Sequence, residues 1–191
     1  MPLDPSVRIA VAGDLAGTEN LGDRGSSLVT SSEVITPFQG IQNAIADARF
    51  FGSEEDFDSL ADYDVTVLVV GLTYVEEGEY IPTQQQEAEG SDLARGGDRA
   101  TLALPDAPTR PHRQGAPPRE TSSWSSSKAA APSRSRIGWT PPMRSIMAWY
   151  PGCRGGEALA RVLLGDACPS GKLPVTFAAS MNQLPPWTSS R

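Results

Sequence analysis

Between residues 107 and 144 the chain holds a single residue drawn from valine, leucine and isoleucine, Ile137. No other feature limits the fold as much. Ordering a residue's backbone costs about 1–2 kcal/mol, and a segment of this composition cannot bury enough apolar surface to offset that. The same 38 residues hold seven of the 17 prolines, the only histidine (His112), and seven basic residues against one acidic residue, Glu120. Any core must therefore come from the two flanking parts, and residues 107–144 are expected to be irregular or disordered.

The whole chain of 191 residues suits one domain and is long enough to bury a substantial core. Its net charge is −7, but the tract carries +6 and the rest −13. An acidic body argues against a nucleic-acid binder, and the basic tract lacks regular aromatic interleaving, with only Trp124 and Trp139 in it. Cys153 and Cys168 form neither a disulfide framework nor a metal motif and read as buried or half-buried free thiols. No apolar run approaches the roughly 20 residues of a membrane helix. The start, "MPLDPSVRIAV", lacks a basic stretch followed by an apolar one, so no secretory signal is read and the cytoplasm is the default location.

"VRIAVAG" (residues 7–13) reads as a buried strand, followed by the glycine-rich loop "DLAGTENLGDRGSS". Thr36 and Pro37 look like a cap and first turn, with Phe38, Ile41, Ile45 and Ala48 at helical spacing. "SEEDFDSLADYD" (residues 53–64) predicts a short acidic helix, and "VTVLVVG" (residues 65–71) is the strongest strand signal in the chain. Near the far end "GGEALARVLLGD" predicts a helix with Leu159, Val162 and Leu163 on one face and Gly165 just past its end. "KLPVTF" (residues 172–177) reads as a last strand. This alternation is that of an α/β sheet with helices on its faces, a three-layer αβα sandwich around a mostly parallel sheet.

Sites in such sheets lie in loops beyond the carboxyl ends of the strands. The loop after the first strand matches neither the dinucleotide fingerprint nor the P-loop, so no cofactor is implied. The loop after "VTVLVVG" holds Glu76, Glu77 and Glu79. Such a cluster is usually a solvated turn. The chemistry that would use it is glycoside hydrolysis, where one carboxylic acid protonates the leaving oxygen and a second carboxylate acts from the opposite face. Like-charged neighbours help keep one glutamate protonated near neutral pH. A Ser-His-Asp triad would have to draw its histidine from the low-complexity tract.

"NLGDRGSS", "TPFQGI", "VTVLVVGLTYVEEGEY", "GGDRATLALP", "IMAWYPGCRGGEALARVLLGDACPSGKLPVTF" and "NQLPPW" stand in an order that resembles family 3 glycoside hydrolases, the β-glucosidase-like enzymes. The resemblance is to their C-terminal sandwich domain and covers residues 7–105 and 145–187. It implies a β-glucoside-like carbohydrate substrate and an active site shared with a (β/α)8 barrel that supplies an aspartate nucleophile; that barrel is missing from these residues. From charge, cysteine spacing and hydropathy, no metal, nucleic-acid or membrane partner is expected. The family's loop glutamate, the acid/base, matches best at Glu77, followed by Gly78, with Glu79 as the alternative. Asp98 and Arg99 of "GGDR", and Asp23 and Arg24 of "NLGDRGSS", match positions that shape the cleft, with salt-bridged or capping loop residues as the plainer reading.

From 107 to 144 the resemblance stops. Valine codons GTC GTC GTG GTC GTC GTC, read one base later, spell Ser-Ser-Trp-Ser-Ser-Ser, the sequence of residues 122–127. Residues 107–119 become family-like only in the third frame. The sequence thus predicts residues 1–106 and 145–191 as two parts of one sandwich domain, flanking an out-of-frame segment in place of a central strand. It predicts exposed strand edges beside that segment and an unstable chain. Such a chain is a glycosidase fragment inactive without its barrel; the alternative is a non-catalytic carbohydrate-binding or partner domain that complements a barrel on another chain.

Overall fold

The computed structural model describes residues 2–22, 28–52, 57–73, 120–126, 144–175 and 183. Its centre is a five-stranded sheet made of β1 (Ile9–Ala12), β2 (Ala48–Phe51), β3 (Val65–Gly71), β4 (Glu120–Ser126) and β5 (Arg144–Met147). The strand order is β2-β1-β3-β4-β5, and all four pairings are parallel. The α/β class read from the sequence is the class observed.

Ile9, Ala10, Val11 and Ala12 are all fully buried, as a parallel strand covered on both faces requires. Alternate residues divide between two cores. Ile9 and Val11, with Val65, Val67 and Val69, join Ile41, Ile45, Leu159 and Leu163 on the helical side. Ala10, Ala12 and Phe51 pack on the opposite side with Leu60, Tyr63 and Leu68. Each large buried side chain contributes about 1.5–3 kcal/mol.

Helix α1 (Pro37–Ala44) begins at Thr36 in a capping box: Gln39 N–H donates to Thr36 Oγ1 (3.3 Å) and Thr36 N–H donates to Gln39 Oε1 (3.0 Å). Helix α2 (Gly155–Leu164) ends at Gly165, whose φ of 86° is the left-handed stop that only glycine adopts freely. Leu3 N–H donates to the Leu163 carbonyl at 2.8 Å, so the N-terminal segment satisfies one of the carbonyls that α2 leaves open. The two helices lie against each other where neither has a side chain in the way. A Cβ on Gly40 would collide with the Gly156 carbonyl, and one on Gly156 with the Thr36 carbonyl.

Several expectations are corrected. Within residues 107–144, residues 120–126 form β4, pairing with β3 from Val65↔Glu120 to Gly71↔Ser126 and with β5 from Ser122↔Arg144 to Ser125↔Met147. The edge of β3 is therefore closed by backbone hydrogen bonds, which need no particular side chain. Arg144, assigned to the irregular tract, opens β5. Ala48 belongs to β2, because α1 ends at Ala44 and Ile45 is already extended (φ −131°). The acidic helix is a 3-10 turn, Phe57–Asp62, with residues 53–56 outside the described set. Of the strand expected over residues 172–177, residues 172–175 form none: Leu173 and Val175 are exposed, and Pro174 between them has no N–H to donate. Residues 176–177 lie outside the described residues. Cys153 is half-buried as expected, whereas Cys168 is exposed. No helix among the described residues is long and apolar enough to cross a membrane.

Candidate active site

In a sheet of order 2-1-3-4-5 the chain leaves β1 toward one side and β3 toward the other, opening a crevice between their carboxyl ends. At that point Gly13, φ +98°, carries the chain out of β1. A Cβ there would strike the Val69 carbonyl of β3, so close approach and backbone conformation both demand glycine. Gly13 N–H donates to the Phe51 carbonyl at 2.9 Å, and a 3-10 turn at Asp14–Ala16 follows.

The loop then returns across the sheet. Asn20 Nδ2 donates to the carbonyl of Leu72 at 2.9 Å, just beyond the end of β3. Leu72 is fully buried. This bond joins the two loops that the sequence nominates for function. Asn20 stands three residues before Asp23, and Leu72 stands five residues before Glu77. Sequence reasoning overlooked Asn20 itself, although an amide in a glycine-rich loop after a buried strand was the available signal.

The third wall comes from the turn before α2. Ile35 N–H donates to the Cys153 carbonyl (2.8 Å) and Gly156 N–H to the Ile35 carbonyl (3.0 Å), binding the approach to α1 to the approach to α2. Trp149 in this turn has φ 56°, a left-handed conformation uncommon for a residue with a side chain. Arg154 and Glu157 form an exposed ion pair, which holds the guanidinium above its ordinary pKa.

Leu15, Asn20, Ile35, Val69, Pro151 and Gly156 are among the residues around a crevice of about 30 Å³, space for a water or two rather than for a sugar ring. Among the described residues that line it, no side chain is ionisable. The described crevice thus positions loops and supplies no acid or base of its own. Among the described residues no group of His, Cys, Asp and Glu is placed to hold a metal. Glu77, Glu79, Asp98, Arg99, Asp23 and Arg24, and Glu76 beside them, all lie outside the described residues.

A parallel, doubly wound α/β domain with its crevice at the β1/β3 switch is the class that fold and site define. Comparison with known proteins narrows it. The glycosyl hydrolase family 3 C-terminal domain matches residues 1–114 and 135–191, and the chain belongs to that family. A xylan 1,4-β-xylosidase of Xylanibacter ruminicola is 58% identical over 40 residues, 21% of this chain and 5% of that protein. A periplasmic β-glucosidase of Salmonella typhimurium is 48% identical over 44 residues, 23% of this chain and 6% of that protein. The matched stretches thus span about a twentieth of these relatives' length. Among solved structures, the β-D-glucoside glucohydrolase of Trichoderma reesei superposes with a TM-score of 0.67 at 21% identity, over 100% of this chain and 29% of that one. That likeness concerns the fold.

Proposed function

We propose that this chain is the sandwich portion of a glycosidase acting on β-linked glucosides or xylosides, with Glu77 as the general acid/base and Glu79 as its alternative. The observation that carries the reading is the Asn20–Leu72 bond at the β1/β3 switch, which gives the glycine-rich loop and the glutamate loop a common origin. Family membership and the names of the relatives supply the substrate class.

In this reading Glu77 protonates the departing glycosidic oxygen while a carboxylate from the barrel attacks the anomeric carbon; Glu77 then takes a proton from the incoming water. Glu76 and Glu79 raise its proton affinity through like-charge repulsion. Asp23, Arg24, Asp98 and Arg99 border the cleft. Residues 1–106 and 145–191 form one domain. Only one of the two required carboxylates comes from these residues, so the chain alone does not turn over.

The test is hydrolysis of p-nitrophenyl β-glucoside and β-xyloside by the chain alone and by a two-domain protein in which it follows a family barrel. The expected result is no turnover alone, turnover in the two-domain protein, and a loss of about 10²–10⁴-fold on Glu77→Gln. An unaffected Glu77→Gln enzyme with an impaired Glu79→Gln enzyme transfers the role to Glu79. Sugar binding by the separate chain, with no turnover in the two-domain protein, favours the non-catalytic partner domain instead.

A further inference from the structure

We infer that the slot between β3 and β5 is built for a run of apolar side chains, and that the gene carries this run one reading frame away from residues 122–127.

The first half comes from the sheet. β4 is an interior strand, with β3 on one side and β5 on the other. Its last five positions stand opposite Val67, Leu68, Val69, Val70 and Gly71. From the other side, Trp124 is matched by Ile146 and Ser125 by Met147. Val67, Val69 and Ile146 belong to or pack on the helical-side core, and Leu68 packs on the opposite core. Interior strands of parallel sheets are as a rule covered on both faces and read as near-continuous apolar runs. β1 and β3 obey the rule. β4 reads Glu-Thr-Ser-Ser-Trp-Ser-Ser, with one apolar residue in seven.

The second half comes from the genetic code. Let the frame begin one base earlier, so that each codon takes the last base of its predecessor. A serine codon of the TCN type then becomes NTC, which encodes phenylalanine, leucine, isoleucine or valine whatever the first base. The tryptophan codon TGG becomes NTG, which encodes leucine, methionine or valine. With TCN codons at the five serines, Ser122, Ser123, Trp124, Ser125, Ser126 and Ser127 give six apolar residues in a row, position for position, whatever the third bases. The apolar run falls on the part of β4 flanked by Val67 to Val70 and by Ile146 and Met147. The family match skips residues 115–134, which contain this strand.

Two measurements test it, the first on the full chain. Ser122, Ser123, Ser125 and Ser126 are replaced together by valine, and the urea midpoint is compared with that of the parent. The expected result is a rise of about 1 M or more. Replacing the exposed Ser32 and Ser170 by valine should leave the midpoint unchanged, since no slot is filled there. A quadruple variant that is no more stable than its parent, or that fails to fold, overturns the slot. The second measurement reads the coding DNA. TCN codons at all five serines of residues 122–127 support the displaced frame, and an AGT or AGC codon at any of them breaks the run and overturns it.

Discussion

The side-chain amide of Asn20 donates a 2.9 Å hydrogen bond to the backbone carbonyl of Leu72, tying the loop that leaves β1 to the point where the chain leaves β3. The carbonyl belongs to a fully buried residue. Losing the donor therefore leaves a desolvated acceptor unpaired, which costs about 1–3 kcal/mol. Asn20→Ala should lower stability by that amount in urea denaturation. It should also speed amide hydrogen exchange at residues 17–22 and 72–73. Unchanged exchange at Leu72 and Thr73 would mean that the two loops are held independently.

Gly156 meets Thr36 so closely that no side chain fits between α2 and the start of α1. Gly156→Ala should separate the helices and cost on the order of 3 kcal/mol or more, because the obstacle is backbone rather than a side chain that can turn away. Gly171→Ala, where nothing lies within 4 Å of the new methyl group, is the matched control and should be nearly silent. Thermal unfolding of the two variants side by side checks this.

Thr36 accepts from Gln39 N–H and closes the capping box of α1. Thr36→Ala should cost about 1 kcal/mol, and Thr36→Ser should recover most of that because the hydroxyl is retained. Equal losses in both variants would assign the effect to the buried methyl group instead.

Thr66 presents the opposite case. It is 4% exposed, and its Oγ1 is buried with no hydrogen-bond partner among the described residues. The residue lies on β3 between Ala10 of β1 and Thr121 of β4 in register. Thr66→Val keeps the branched shape and removes an unpaired hydroxyl. A stabilisation of about 1 kcal/mol is expected in urea denaturation.

Asp4 accepts from both the N–H (2.9 Å) and the hydroxyl (2.7 Å) of Ser6, which holds its carboxyl below the ordinary value of 3.8. A depressed carboxylate pKa stabilises the fold above the unfolded value, and that contribution disappears as pH falls through the folded one. Asp4 is fully exposed, so the effect on stability is slight and the titration itself is the better readout. Ser6→Ala should move the Asp4 midpoint upward toward 3.8 in an NMR titration.

The best-read elements were those whose signals are local. Thr36, Pro37 and Gln39 announce a helix start because a capping box is made within four residues. Gly165 announces the end of α2 because only glycine enters the left-handed region at no cost. β2 and β5 were not read at all. "ARFF" and "RSIM" carry too little pattern in four residues each, and they become strands only because β1 and β4 offer them a ladder. The two loops that the sequence nominates do follow the ends of β1 and β3. The Asn20–Leu72 tie between them was not legible, since its partners are 52 residues apart and one is a main-chain carbonyl.

The sequence by itself determined the α/β class, the family resemblance and the interior strands β1 and β3, because unbroken apolar runs have few places to go other than a sheet covered on both faces. Only the tertiary structure decided what happens at residues 120–126. Side-chain composition argues against a strand there, yet main-chain hydrogen bonding to β3 and β5 is indifferent to side chains and places one. The same holds for Ala48: helical spacing extends to it, but pairing with Ile9 across β1 assigns it to the sheet. Periodicity records which face a residue prefers; the neighbouring strand settles which backbone it joins.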